Sequence, residues 1–188
     1  MMNFSVMKTL LCIFSVLCLV SCNEVSFPTH QPKGITPLKA FPKELRGYYL
    51  TTEGDSIQDT LLIEEKGYRT LDGKPDSEKS WLDAAEISDS LVVKKYKDLY
   101  FISFKENNEW LLRILKRDKK GNLTFMMMAI NDSEKVKSLS ELQKDLPVQV
   151  IELSDNEKYY RIDPTPKQLM SLIKKKKFWE ESKLIKLK

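Results

Sequence analysis

Between residues 90 and 130, four runs rich in β-branched and aromatic residues are joined by connections too short for anything but antiparallel neighbours. The runs are 91–96, 99–105, 109–116 and 123–130, separated by Lys97-Asp98, by Asn107-Asn108 and by Asp118-Lys119-Lys120-Gly121. Turns of this kind make hairpins, whereas a parallel crossover needs about a dozen residues or more. A β-meander is therefore the frame of the chain. Within 99–104, Leu99 and Phe101 face one way while Tyr100, Ile102 and Phe104 face the other, so both faces are apolar and both need a cover. The same holds for 123–130, and 109–116 is more one-sided. The fold class that follows is mainly β (α+β): a curved sheet or partly closed barrel with two short helices in the C-terminal half over its outer face.

The helices and the remaining strands are visible around this frame. Ser133 precedes Val136, Leu139, Leu142 and Leu146 at helical spacing. Thr165-Pro166-Lys167-Gln168 is a capping box with proline in the first turn, followed by Leu169, Met170, Leu172 and Ile173. A hairpin is predicted from 148–153 and 158–162 around Asp155-Asn156, and residues 183–187 alternate weakly as a last strand. Earlier strands are predicted at 45–50, 59–64 and 68–71. Residues 76–87 read equally as a short helix under Trp81 or as an edge strand.

The N-terminus sets the address. Lys8 opens a short basic region, and residues 9–20 contain no charge and are too short to span a bilayer. They end in Leu19-Val20-Ser21-Cys22. Cys12 and Cys18 lie inside the apolar run, so its removal leaves Cys22 as the single thiol and allows no disulfide. From 23 to 42 the chain carries Pro28, Pro32, Pro37 and Pro42 among polar residues and reads as a flexible tether. The expected organisation is a signal peptide at 1–21, a lipid-bearing Cys22 with a tether at 22–42, and one β-rich domain at 43–188. The net charge of +4 is spread along the chain without the concentrated basic face that nucleic acid requires.

The Leu-Val-Ser-Cys run resembles the lipobox of bacterial lipoproteins, whose cysteine is acylated and becomes the mature N-terminus. That resemblance implies a membrane partner reached through lipid on Cys22, in an extracytoplasmic setting at the outer membrane, facing the periplasm or the cell surface. Leu45-x-Gly47-x-Tyr49, the run Ser88-Asp89-Ser90-Leu91-Val92-Val93-Lys94-Lys95-Tyr96 and Tyr160-Arg161-Ile162-Asp163-Pro164 are similar to those of small Bacteroidetes-type lipoproteins, a family that brings no activity with it. Gly47-x-Tyr49 on a first strand, the meander, a late helix and a last strand resemble lipocalins in architecture. A lipocalin-like barrel is thus the alternative fold, and it implies a carrier of a small apolar ligand.

No residue pattern announces catalysis. His30, the sole histidine, falls in the expected tether, which cannot position an imidazole for nucleophile activation or metal binding. Met126-Met127-Met128 alternate sides of a strand and cannot converge on one ion. Glu64-Glu65 and Glu180-Glu181 are sequential, whereas glycosidase carboxylates face each other across a cleft. The lysines at 174–177 suit the end of a helix. No phosphate loop or EF-hand pattern is present, so no cofactor or metal is expected. The expectation is a non-catalytic binding or interaction module for an envelope protein or a small apolar ligand, with a hydrolase using carboxylates alone as the third reading. The side chains singled out for binding are Tyr48, Tyr96, Tyr100, Phe104 and Trp110, rigid aromatics that supply contact area at low entropic cost.

Overall fold

The computed structural model describes residues 23–53, 56–71, 84–128, 130, 135–154, 157–175 and 178–187. Cys22 with the preceding signal, residues 76–83 with Trp81, Ser133 and the Asp155-Asn156 turn lie outside the described residues.

Among the described residues twelve strands form one curved sheet. They are β1 (Asn23–Phe27), β2 (Gly47–Glu53), β3 (Ser56–Ile63), β4 (Gly67–Thr70), β5 (Ala84–Glu86), β6 (Leu91–Tyr96), β7 (Leu99–Glu106), β8 (Glu109–Arg117), β9 (Leu123–Met128), β10 (Gln149–Ser154), β11 (Glu157–Arg161) and β12 (Trp179–Lys186). The helices are α1 (Lys135–Asp145) and α2 (Pro166–Lys174), with a 3-10 turn at Lys43–Leu45. The meander is present as antiparallel β6–β7–β8–β9. Its turns use the residues that tolerate a left-handed backbone: Asn107 and Asn108 have φ of 47° and 63°, the pattern of a type I′ hairpin turn. Ala84–Glu86 settles the end of the ambiguous 76–87 segment as a strand on β4. Gly67 makes that pairing possible, because a Cβ there would lie 2.3 Å from the Ala85 carbonyl oxygen.

The sheet is not closed. Its long path runs β10-β11-β1-β8-β9-β12-β2-β3-β4-β5, with β7 and β6 on the other side of β8. Between β6 and the β3–β4 hairpin there is no ladder; residues 38–41 bridge the gap, Leu38 N–H donating to Val93 and Phe41 N–H to Glu65. A closed lipocalin-like barrel is therefore not formed; the sheet is curved and open. The last strand is longer than 183–187 and lies inside the sheet, between β9 and β2.

Each face has its own core. On the convex side Phe101, Leu112, Ile114, Met126 and Met128 pack beneath Leu142 and Leu146 of the α1 region and Leu169 and Leu172 of α2. The Thr165 cap of α2 forms as its sequence predicts, hydroxyl and amide both engaged with Gln168. On the concave side Phe41, Leu45, Tyr49, Leu91, Val93, Tyr100 and Leu123 pack together.

The expected tether is the main correction. From Asn23 onward the segment belongs to the fold: β1 lies between β11, its one parallel partner, and β8. Val25, Phe27 and Phe41 are fully buried, each contributing about 1.5–3 kcal/mol of burial. Gln31 N–H donates to the Ser103 hydroxyl, and the buried Lys94 ammonium donates to the carbonyls of His30 and Pro32. The domain thus begins at β1 and not at residue 43. Proline content misleads here, because the partners that hold the segment lie on β6, β7, β8 and β11.

Candidate functional site

The concave face forms a cup with one closed end. There the Lys43–Leu45 turn acts as a plug. The Glu44 carboxylate accepts from the Tyr100 hydroxyl at 2.7 Å and from Lys95, and its carbonyl accepts from Arg117 Nε. The bond to Tyr100 holds the Glu44 carboxyl below the usual carboxylate range. Tyr49, buried beside the plug, donates to the Leu45 carbonyl at 2.8 Å, and burial pushes its phenol up to about 12.

Inward residues change character along each strand away from this end. The steps are Tyr49 to Thr51 on β2, Tyr68 to Thr70 on β4, Leu115 to Arg113 on β8 and Leu184 to Ser182 on β12. On β3 and β7 the sequence Ile63 to Leu61 and Ile102 to Phe104 stays apolar. All of these side chains except Tyr49, together with Phe41 and Phe125, line a cavity of about 230 Å³. Its lining is mostly apolar, and apart from the Tyr68 phenol its polar side chains are the outer members of their strands. Tyr68 and Phe104 meet edge to face across it, centroids 6.2 Å apart.

Among the described residues Arg113 is the one charged residue in the wall. Only 5% exposed, it pairs with Glu24 of β1 and also donates to the Leu112 carbonyl at 3.1 Å. The same seam carries a second buried carboxylate, Glu109, held by the Ser26 hydroxyl and the Arg161 guanidinium. Tyr159, next to them, is raised by burial and then by the nearby Glu106 carboxylate. Among the described residues the wall of the cavity itself contains no carboxylate.

The five aromatics picked from sequence do not converge. Phe104 lines the cavity, and Tyr100 lies deeper on the same face, committed to Glu44. Tyr96 and Trp110 pack against the convex core. Tyr48 points outward and is 48% exposed. His30 lies within the fold and not in a tether, its ring edge-on to Trp110 at 5.2 Å. Its Nδ1 is buried without a hydrogen-bond partner among the described residues, and burial followed by the Lys94 charge lowers its pKa. Among the described residues no three His, Cys, Asp or Glu side chains gather as a metal site. Alternation missed the cavity for a simple reason: Phe41 sat in the presumed tether, and the run 109–116 gave no sign that Arg113, on the same face as Leu111 and Leu115, is buried.

No family model matches the chain, and no curated protein or solved structure matches it either.

Proposed function

We propose that the protein is a lipid-anchored, extracytoplasmic binding module, non-catalytic, whose cup holds a small molecule with an apolar body. The observation that carries this reading is the mostly apolar cavity in which Thr51, Thr70, Arg113 and Ser182 lie on their strands farther from the plug and the Tyr68 phenol is the one polar group nearer to it. An apolar cavity of about 150 Å³ stays dry and takes up benzene, while drug-sized ligands occupy about 300–1,000 Å³. At about 230 Å³ the cup suits a ligand between these, or one acyl segment of a larger lipid. Because Glu24 already neutralises Arg113, the wall offers hydrogen bonds and no net charge, which favours a neutral polar end over a carboxylate. The lipobox at Leu19 to Cys22 supports the anchor.

The test is direct. The protein is purified from membranes, its bound small molecules are extracted into organic solvent and identified by mass, and uptake of a fluorescent apolar probe is titrated. Thr70→Trp at the outer part of the cavity and Ile102→Trp deeper inside should both reduce probe uptake at least tenfold, with Thr70→Trp leaving the melt unchanged. Uptake equal to the parent in both variants overturns the cup. Separately, lipid mass on the Cys22 peptide, and release from membranes on Cys22→Ser, test the anchor.

A further inference from the structure

We propose that the closed end of the cup is a membrane-contact surface for anionic phospholipid headgroups, so that the domain stands plug-down on the bilayer. The proposal builds on the anchored reading above, but its own observations are geometric. β1 runs antiparallel to β8, so its first residue points the same way as the end of β8. The β6–β7 and β8–β9 turns, the plug and the end of β12 all lie at that end, tied together by Glu44 and by Lys186, whose ammonium donates to the Arg46 carbonyl. With Asn23 already in the sheet, no slack separates Cys22 from the domain. A lipid there draws this end onto the surface.

Charge at that end suits the partner. Of its acidic groups, Glu44, Glu64 and Glu65 are paired with Lys95, Arg69 and Arg46, while Glu86 beside Gly67 and Asp98 in the β6–β7 turn are the acidic side chains set against the lysines there. Asp118 caps its own turn through Asn122. Lys97, Lys116, Lys119, Lys120 and Lys183 make no ion pair among the described residues. Beside them the outer face of β2 and β12 presents Tyr48, Ile185 and Leu187, which are 48%, 37% and 41% exposed. Tyr48 and Leu187 are neighbours, the Leu187 N–H donating to the Tyr48 carbonyl at 2.9 Å. An apolar cluster rimmed by lysines, with a tyrosine among it, matches the headgroup boundary of a bilayer.

The experiment uses the domain beginning at Asn23, whose described contacts all lie within itself and which carries no lipid. It is sedimented with vesicles of phosphatidylcholine alone and of phosphatidylcholine mixed equally with phosphatidylglycerol. Binding should appear only with the anionic lipid and fall as salt is raised. The triple variant Lys97→Glu/Lys119→Glu/Lys120→Glu should weaken partitioning by about fivefold or more per charge. Tyr48→Ser/Ile185→Ser should weaken it too, with the cup's probe uptake intact in both. Equal binding to the two vesicles, or undiminished binding by the triple variant, overturns the proposal. So does self-association lost on Tyr48→Ser/Ile185→Ser with no vesicle binding, which assigns the patch to a second copy. Absence of lipid on Cys22 of the full chain sinks the anchor alone and leaves this surface result standing.

Discussion

Glu24 on β1 and Arg113 on β8 form a buried ion pair between residues 89 apart in sequence. It joins the first strand to the wall of the cup. Removing one member strands the other charge out of water, so Glu24→Ala is expected to cost about 3–5 kcal/mol in denaturant unfolding. Glu24→Leu/Arg113→Met removes both charges and should recover most of that loss. A double-mutant cycle with no coupling would show that the pair does not position β1.

The N-terminal segment should be indispensable. A chain starting at Phe41 lacks β1, the Phe27 side chain and the carbonyls that hold Lys94, leaving β11 and β8 with an open edge. Such a chain should lose cooperative unfolding, while one starting at Asn23 keeps it. Near-ultraviolet dichroism and urea melts decide between them.

Lys94 should make stability depend on alkaline pH. Burial brings its pKa from the ordinary 10.5 to about 8, and no carboxylate pairs with it among the described ion pairs. Between about 8 and 10.5 the unfolded chain holds the proton that the folded chain has lost, so stability from this group rises with pH across that window. It is fully present above the unfolded value and lost as pH falls through about 8. Tyrosine effects enter only near 10 and above, where the raised Tyr49 works in the opposite direction. Comparing wild type with Lys94→Met from pH 7 to 9.5 should show a rise in the wild type alone; parallel curves would refute it.

Aromatic substitutions should sort by position. Phe104→Ala, in the cavity wall, is expected to lose about 3–5 kcal/mol. Tyr100→Phe loses the bond to Glu44 and about 1 kcal/mol. Tyr48→Ala should change the melt little, since its ring is half exposed. Thermal melts of the three give the order, and a large loss at Tyr48 would contradict its outward placement.

Local chemistry alone determined the meander, the capped α2 helix and the need to cover both faces of β7. Each rests on residues adjacent in the chain: Asn107-Asn108 turns the backbone, Thr165 caps it, and the alternation from Leu99 to Phe104 declares two buried faces. Long-range pairing decided the rest. Val25 and Phe27 alternate with Glu24 and Ser26 as a strand should, but a strand of five residues carrying a charge is recognisable only once Arg113 and β11 are in place to receive it. The cup is likewise beyond local pattern, because its wall draws Phe41, Ile63, Ile102, Phe125 and Leu184 from six separate stretches when Arg113 is included, and their convergence depends on sheet curvature. The aromatics chosen from sequence scattered over both faces and the exterior for the same physical reason: residue type sets what a side chain prefers, while register and curvature set what it meets.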